Sequence, residues 1–299
     1  MDLRPSPIAG RWYPSQAPAL AAAVDQYLSA AQVDLPAGEV VGLLAPHAGH
    51  VYSGPVAAYA FRAVRNLPVD VVAILCPSHF HDDAPLLTSG HAAYATPLGE
   101  IEIDREAIDR LREEIIHNLQ EQATAALPGS AAEITLAQIQ KEGLLVEIRR
   151  DREHAIEIEL PFLQRTLAPG FTLIPIMLRE QSGPIAHALG LALAKVLHGR
   201  RALVIASSDL SHYYPAPIAK RLDAEMLRHV DAFDPAGVLA AQAAEQGLAC
   251  GYGAIAATLW ATRELGATQA RVLKHATSGD VSGDDDQVVG YGAAVIWKE

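Results

Sequence analysis

Three apolar runs in this chain end in the same way. LLAPHAGHVY (residues 43–52), VVAILCPSH (71–79) and LVIASSDLSH (203–212) each lead a strand-length stretch into a proline or a polar turn, and then into a histidine. Neutral imidazole is the commonest side-chain metal ligand, and its unperturbed pKa of about 6.5 also suits it to carry protons near neutral pH. His47, His79 and His212 therefore qualify as ligands or acid–base groups of one site. A fourth contributor is Cys250 in GLACGYGAIAATLWA (247–261), whose thiol just precedes an amphipathic helix. The free N–H groups and dipole of a helix start favour thiolate, and Gly251 and Gly253 let other groups approach the backbone closely. Imidazoles from His47 and His79 with a thiolate from Cys250 make a three-ligand set that suits iron(II), copper or zinc and leaves a coordination position open. Two plainer readings stand beside this one. Each histidine could hydrogen-bond only its own loop, and Cys250 could be a small hydrophobe, a role that Cys76, inside an apolar strand, fits better.

Further candidates surround these four. Asp209 lies close enough to His212 along a tight turn to orient its imidazole as a general acid or base, although Ser207, Ser208 and Asp209 would equally cap a helix. In REHAIEIELPFLQ (152–164), written on a helix, His154 and Glu157 share a face. Glu153, His154 and Glu157 could thus support a metal or line a substrate pocket, against the alternative of a charged helix start. His50, His81 and His91 lack the strand-end placement, while His117, His187, His198 and His229 fall in helical patterns and are expected at the surface. Asp284, Asp285 and Asp286 read as a solvated turn, because the spacing of a calcium loop is missing.

The elements that must position these residues emerge from the apolar pattern. Runs rich in Val, Ile and Leu at 40–45, 69–75, 171–178, 201–206 and 288–297 suit strands covered on both faces. Helical patterns lie at 17–31, 55–65, 104–117, 156–167, 184–197, 218–230, 235–246 and 254–265. This alternation implies an α/β fold with a central, largely parallel or mixed sheet flanked by helices on both faces. In such sheets ligands bind beyond the carboxyl ends of the strands, where His47, His79 and His212 would meet. The segment 118–140, rich in Ala, Gln and Glu with a Pro-Gly break, reads as an insertion in one domain spanning 1–299.

Composition narrows the class. The chain has 299 residues, half of them hydrophobic, and a formal net charge of −12. That balance fits a globular protein and disfavours nucleic acid or anionic membrane as partners, since both attract clustered cations. Two cysteines form no disulfide framework, and MDLRPSPIAGRWYP lacks the apolar core of a signal peptide, so the expected location is the cytoplasm.

Taken in order, AGRWYP, APHAGHVYSG, PSHF, EHAIEIELPFL, SSDLSHY, ACG and TSGDVSGDDDQVVGYGAAV resemble the Memo family, also called AmmeMemoRadiSam system protein B. The resemblance spans nearly the whole chain; segment 118–140 departs from it, and His50 stands where an aromatic residue is usual. It implies a single domain similar to the class III extradiol dioxygenases, with His47, His79 and Cys250 as metal ligands and His212 in the acid/base position. A thiolate would stand where those dioxygenases use a carboxylate. The activity implied is that of a metal-dependent oxidoreductase acting on a small-molecule substrate or peptide. Its expected cofactor is a transition metal, Fe(2+) foremost, with copper or zinc as alternatives. The family name further implies radical-SAM and AMMECR-like protein partners. A non-catalytic binding protein and a zinc hydrolase are the competing functions.

Overall fold

The computed structural model describes residues 2–34, 37–125, 136, 137, 139 and 143–299. Its core is a mixed sheet. Four strands, β2 (Glu39–Ala45), β9 (Ala202–Ser207), β3 (Val71–Pro77) and β8 (Thr172–Leu178), run parallel side by side. Helices cover both faces of these strands, so almost every side chain on them is buried and their sequences read as unbroken apolar runs. Register levels their carboxyl ends: Ala45 pairs with Ser207, Leu75 with Ala206 and Pro77 with Leu178. The loops beyond these ends therefore open onto one edge.

Antiparallel strands flank this parallel centre. On one side β12 (Val288–Lys298) pairs with β2, and both β11 (Gln269–Thr277) and β10 (His212–Tyr214) pair with β12. On the other, β4 (Leu86–Ser89) runs against β8 and carries β7 (Leu145–Ile148) at the edge. A small separate sheet joins β1 (Leu3–Arg4), β5 (Ala93–Thr96) and β6 (Gly99–Glu102). The shorter strands and β11, whose sequence QARVLKHAT mixes charge with apolar residues, escape a search for apolar runs.

Helices α1 (Ala17–Ala30), α2 (His50–Arg62) and α4 (Leu160–Thr166) pack together on one face. Helices α3 (Arg105–Ala125), α5 (Gly183–Leu197), α7 (Pro235–Ala243) and α8 (Tyr252–Glu264) pack on the other, while α6 (Ala216–Asp231) lies against β11 and β12. Gly190 brings α5 close to α8: a Cβ there would stand 2.8 Å from the Ala257 carbonyl oxygen. Helix α2 begins five residues before the expected Pro55, because a proline in the second turn removes only one backbone hydrogen bond. Helix α3 continues to Ala125, so the first part of the expected insertion is packed helix, with buried Asn118 donating to the Ala188 carbonyl at 3.1 Å. Most of the rest of 118–140 lies outside the described residues. Among the described residues, no helix is long and apolar enough to cross a membrane.

Candidate metal centre

The loop after β2 brings His47 to the open edge. Its ring is 2% exposed, with the backbone N–H donating to Asp209 Oδ1 at 2.8 Å and Nδ1 lying 3.0 Å from Ser207 Oγ. His79 arrives two residues past β3 and is gripped by Glu153, which accepts from the His79 N–H at 2.6 Å and meets its Nδ1 at 2.9 Å. The same carboxylate accepts from the N–H groups of His154 and Ala155, and lies 3.2 Å from His154 Nδ1. The His154 ring stacks on His79 with centroids 4.7 Å apart, and stands edge-on to His47 at 5.4 Å. One ring nitrogen from each of His47, His79 and His154 falls within 4.8 Å of the others, a group that could hold a metal ion.

Cys250 reaches this group. Its Sγ lies 3.2 Å from His47 Nε2 and 3.5 Å from the Asp209 carbonyl, which also accepts the Cys250 N–H. The two glycines after it allow this approach: a Cβ on Gly251 would meet Ser208 at 2.9 Å, and one on Gly253 would meet Gln181 at 2.7 Å. Gln181 then clamps the turn, donating to the Cys250 carbonyl and accepting from the Gly253 N–H. Burial, reinforced by the Asp209 charge, pushes the thiol well above its usual range. The helix-start effect expected from sequence is outweighed, and a thiolate here requires a neighbouring cation.

Two roles change from the sequence reading. His212 opens β10, but its Nδ1 bonds the Leu210 carbonyl at 2.9 Å, while the Asp209 carboxylate serves the His47 N–H instead. Residues 152–156 are not helical, so His154 and Glu157 do not share a face. Glu157 instead turns inward to Arg4 and Tyr13, at 2.5 Å each, and to Ser6. Arg4, 1% exposed, also bonds Asp151 and the Glu153 carbonyl and lies 4.6 Å over the Tyr94 ring. This strut fixes the segment that carries Glu153 and His154, and nothing in the sequence singles out Arg4.

Electrostatics separates the rings. Burial, with the neighbouring His79 charge, lowers His47 to about 3, and burial with His47 lowers His154 to about 3, so both are neutral near pH 7. Burial works against Glu153, yet its bonds to His79 hold it at about 2. Burial likewise works against a charged His79, and Glu153 more than reverses that and raises it. Burial lifts Asp209 to about 6.

Ser207 resolves one more protonation state. Its Oγ lies 2.6 Å from the Ala155 carbonyl, 2.9 Å from Glu159 Oε1 and 3.0 Å from His47 Nδ1. A hydroxyl has one proton, and the carbonyl can only accept it. Ser207 therefore accepts from both other partners, which makes Glu159 a neutral acid and places the His47 proton on Nδ1. Burial raises Glu159 well above the carboxylate range, in agreement.

The remaining histidines of the neighbouring loops lie apart from this group. His50 bonds the Ile158 carbonyl and packs on Phe162, His91 bonds Asp2 and the Arg149 carbonyl, and His81 is exposed. Cys76 is buried within β3, and Asp284–Asp286 form an exposed turn.

Strand-end imidazoles above a mixed α/β sheet, clustered where one ion could sit, define the class: an α/β protein with a metal-capable centre. The Memo-like protein family model matches residues 4–295. MEMO1 family proteins of Methanosarcina mazei and Nitrosopumilus maritimus are each 34% identical to it, over 99% of this chain and 100% of the relative, and 85% and 83%, respectively. A third, from Methanothermobacter thermautotrophicus, is 36% identical over 84% of this chain and 83% of its own length. The chain belongs to the Memo family.

Proposed function

We propose that this protein is a metal-dependent oxidoreductase whose metal is held by His47, His79 and His154, with Cys250 supplying a thiolate beside them. The observation that carries the reading is the approach of the three ring nitrogens to within 4.8 Å of one another. The donor set fits a first-row transition metal: two rings are neutral without needing to lose a proton, and the thiol next to His47 gains a reason to ionise only beside a cation. Iron(II), when bound, would supply the electron-transfer chemistry. The protein's own groups bind and orient. Glu153 fixes two rings, Ser207 fixes the tautomer of His47, and His212, with Nδ1 tied to Leu210, keeps Nε2 to take or give a proton.

Anaerobic purification with elemental analysis tests the assignment. One transition-metal ion per chain is expected, lost in His47→Ala and His154→Ala and weakened in Cys250→Ser. Equal metal in all three variants sinks it. A zinc hydrolase is the second reading, favoured by the three-imidazole set. Exposing native protein to nitric oxide separates the two, because thiolate-bound iron(II) gives a paramagnetic signal and zinc gives none.

A further inference from the structure

Beside the histidine cluster lies a cavity of about 370 Å3, near the low end of small-molecule pockets. Leu87, Ile148 and Met177 give it an apolar floor, and Arg149, Arg150 and Arg152 line its rim. Ser78 and Glu153, which flank and grip His79, form the wall toward the proposed metal. Three arginines within four residues stand out on a chain of net charge −12. Arg149 is paired with Asp2 at 2.7 Å, and Arg152 lies over the Phe80 ring at 4.9 Å. Among the described residues, Arg150 and Arg152 have no carboxylate partner, although Asp151 and Glu153 are their neighbours. Those two acids are already satisfied, by Arg4 and by His79. Asp82 also lines the cavity, accepting from the Ala84 N–H, and its charge favours a singly charged ligand over a doubly charged one.

We propose that this cavity binds a small organic monocarboxylate, its apolar body on Leu87, Ile148 and Met177 and its carboxylate between Arg150 and Arg152. Planar guanidinium groups match a carboxylate's two oxygens. The assignment of this ligand as the substrate rests on the metal-centre reading; its binding does not.

The chain's three methionines make the test direct. Met177 lies on the cavity floor, and Met226 is buried in α6, away from it. Methyl-labelled methionine is followed by NMR in the metal-free full chain during titration with benzoate, benzamide and phenyl phosphate. Benzoate should shift the Met177 methyl saturably and leave Met226 unmoved, with benzamide silent and phenyl phosphate weaker. The double variant R150Q/R152Q should bind benzoate about tenfold more weakly or worse, as expected for losing two charge-assisted contacts. No Met177 response, an equal response to benzamide, tighter binding of phenyl phosphate, or unchanged affinity in the double variant overturns the proposal. Metal uptake without a Met177 response sinks this site alone; the reverse sinks the metal centre alone.

Discussion

Replacing Glu159 separates a buried neutral acid from a buried carboxylate. If the carboxyl is protonated in the fold, as its bond to Ser207 requires, Glu159→Gln preserves the donor and removes the titration. A carboxyl whose folded pKa is raised gives its full stability below the unfolded value of about 4.3, and that stability is lost as pH rises toward the folded pKa. Wild type should therefore lose stability relative to Glu159→Gln as pH rises from 5 to 7, with a slope of at most about 1.4 kcal/mol per pH unit. Glu159→Ala removes the hydrogen bond and opens a void in a site 1% exposed, which costs about 2 to 4 kcal/mol at pH 5. Urea unfolding of metal-free protein at pH 5, 6 and 7 reads both effects. Infrared difference spectra between wild type and Glu159→Gln should show the carbonyl band of a protonated acid. A stability gap that stays flat across this range, or a carboxylate band in its place, would show the proton assignment to be wrong.

Three other substitutions or conditions probe the same framework. Arg4→Met leaves Asp151 and Glu157 buried without their cation and should destabilise by about 3 to 5 kcal/mol, read by thermal melting. Gly251→Ala forces a Cβ onto Ser208 at 2.9 Å and should weaken metal binding by about tenfold through displacement of Cys250, with the fold intact by circular dichroism. Metal affinity should rise with pH, because Glu153 keeps a proton on His79 to higher pH than usual and the metal must displace it, whereas His47 and His154 at about 3 offer no such competition. Calorimetric titration at three pH values checks the slope; a falling affinity contradicts the ligand assignment.

Where the sequence is legible, one physical signal is responsible. Strands covered on both faces must be apolar throughout, so β2, β3, β8 and β9 stand out within about two residues of their ends, and so do the histidines just beyond them. Edge strands such as β11 and β7 lack that constraint, since one side meets water and mixed residues suffice. Cys250 is conspicuous because a thiol among glycines before a helix is unusual, and the glycines do admit Ser208 and Gln181. His154 is harder to rank, because helical spacing does not apply to a segment that becomes helical only at Glu157. Arg4, Gln181 and Glu159 carry no signal. Each acts through a partner more than 60 positions away or through a hydroxyl, and pairwise spacing along a chain does not encode such contacts.

The supporting contacts converge on one atom type. His47 has Nδ1 against Ser207, His79 and His154 have Nδ1 against Glu153, and His212 has Nδ1 against Leu210. The first three of these rings, from three segments, cluster where one ion could sit, and with Nδ1 engaged each is left with the same nitrogen, Nε2, for a shared ligand. A histidine whose only task is to satisfy its own loop has no reason to choose the same nitrogen each time. Glu153 bears most of this arrangement, since it also takes three backbone N–H groups, those of His79, His154 and Ala155. Losing its charge in Glu153→Gln should therefore disturb two rings at once and weaken metal affinity by about 10- to 100-fold, read by calorimetric titration, short of the outright loss expected for His154→Ala.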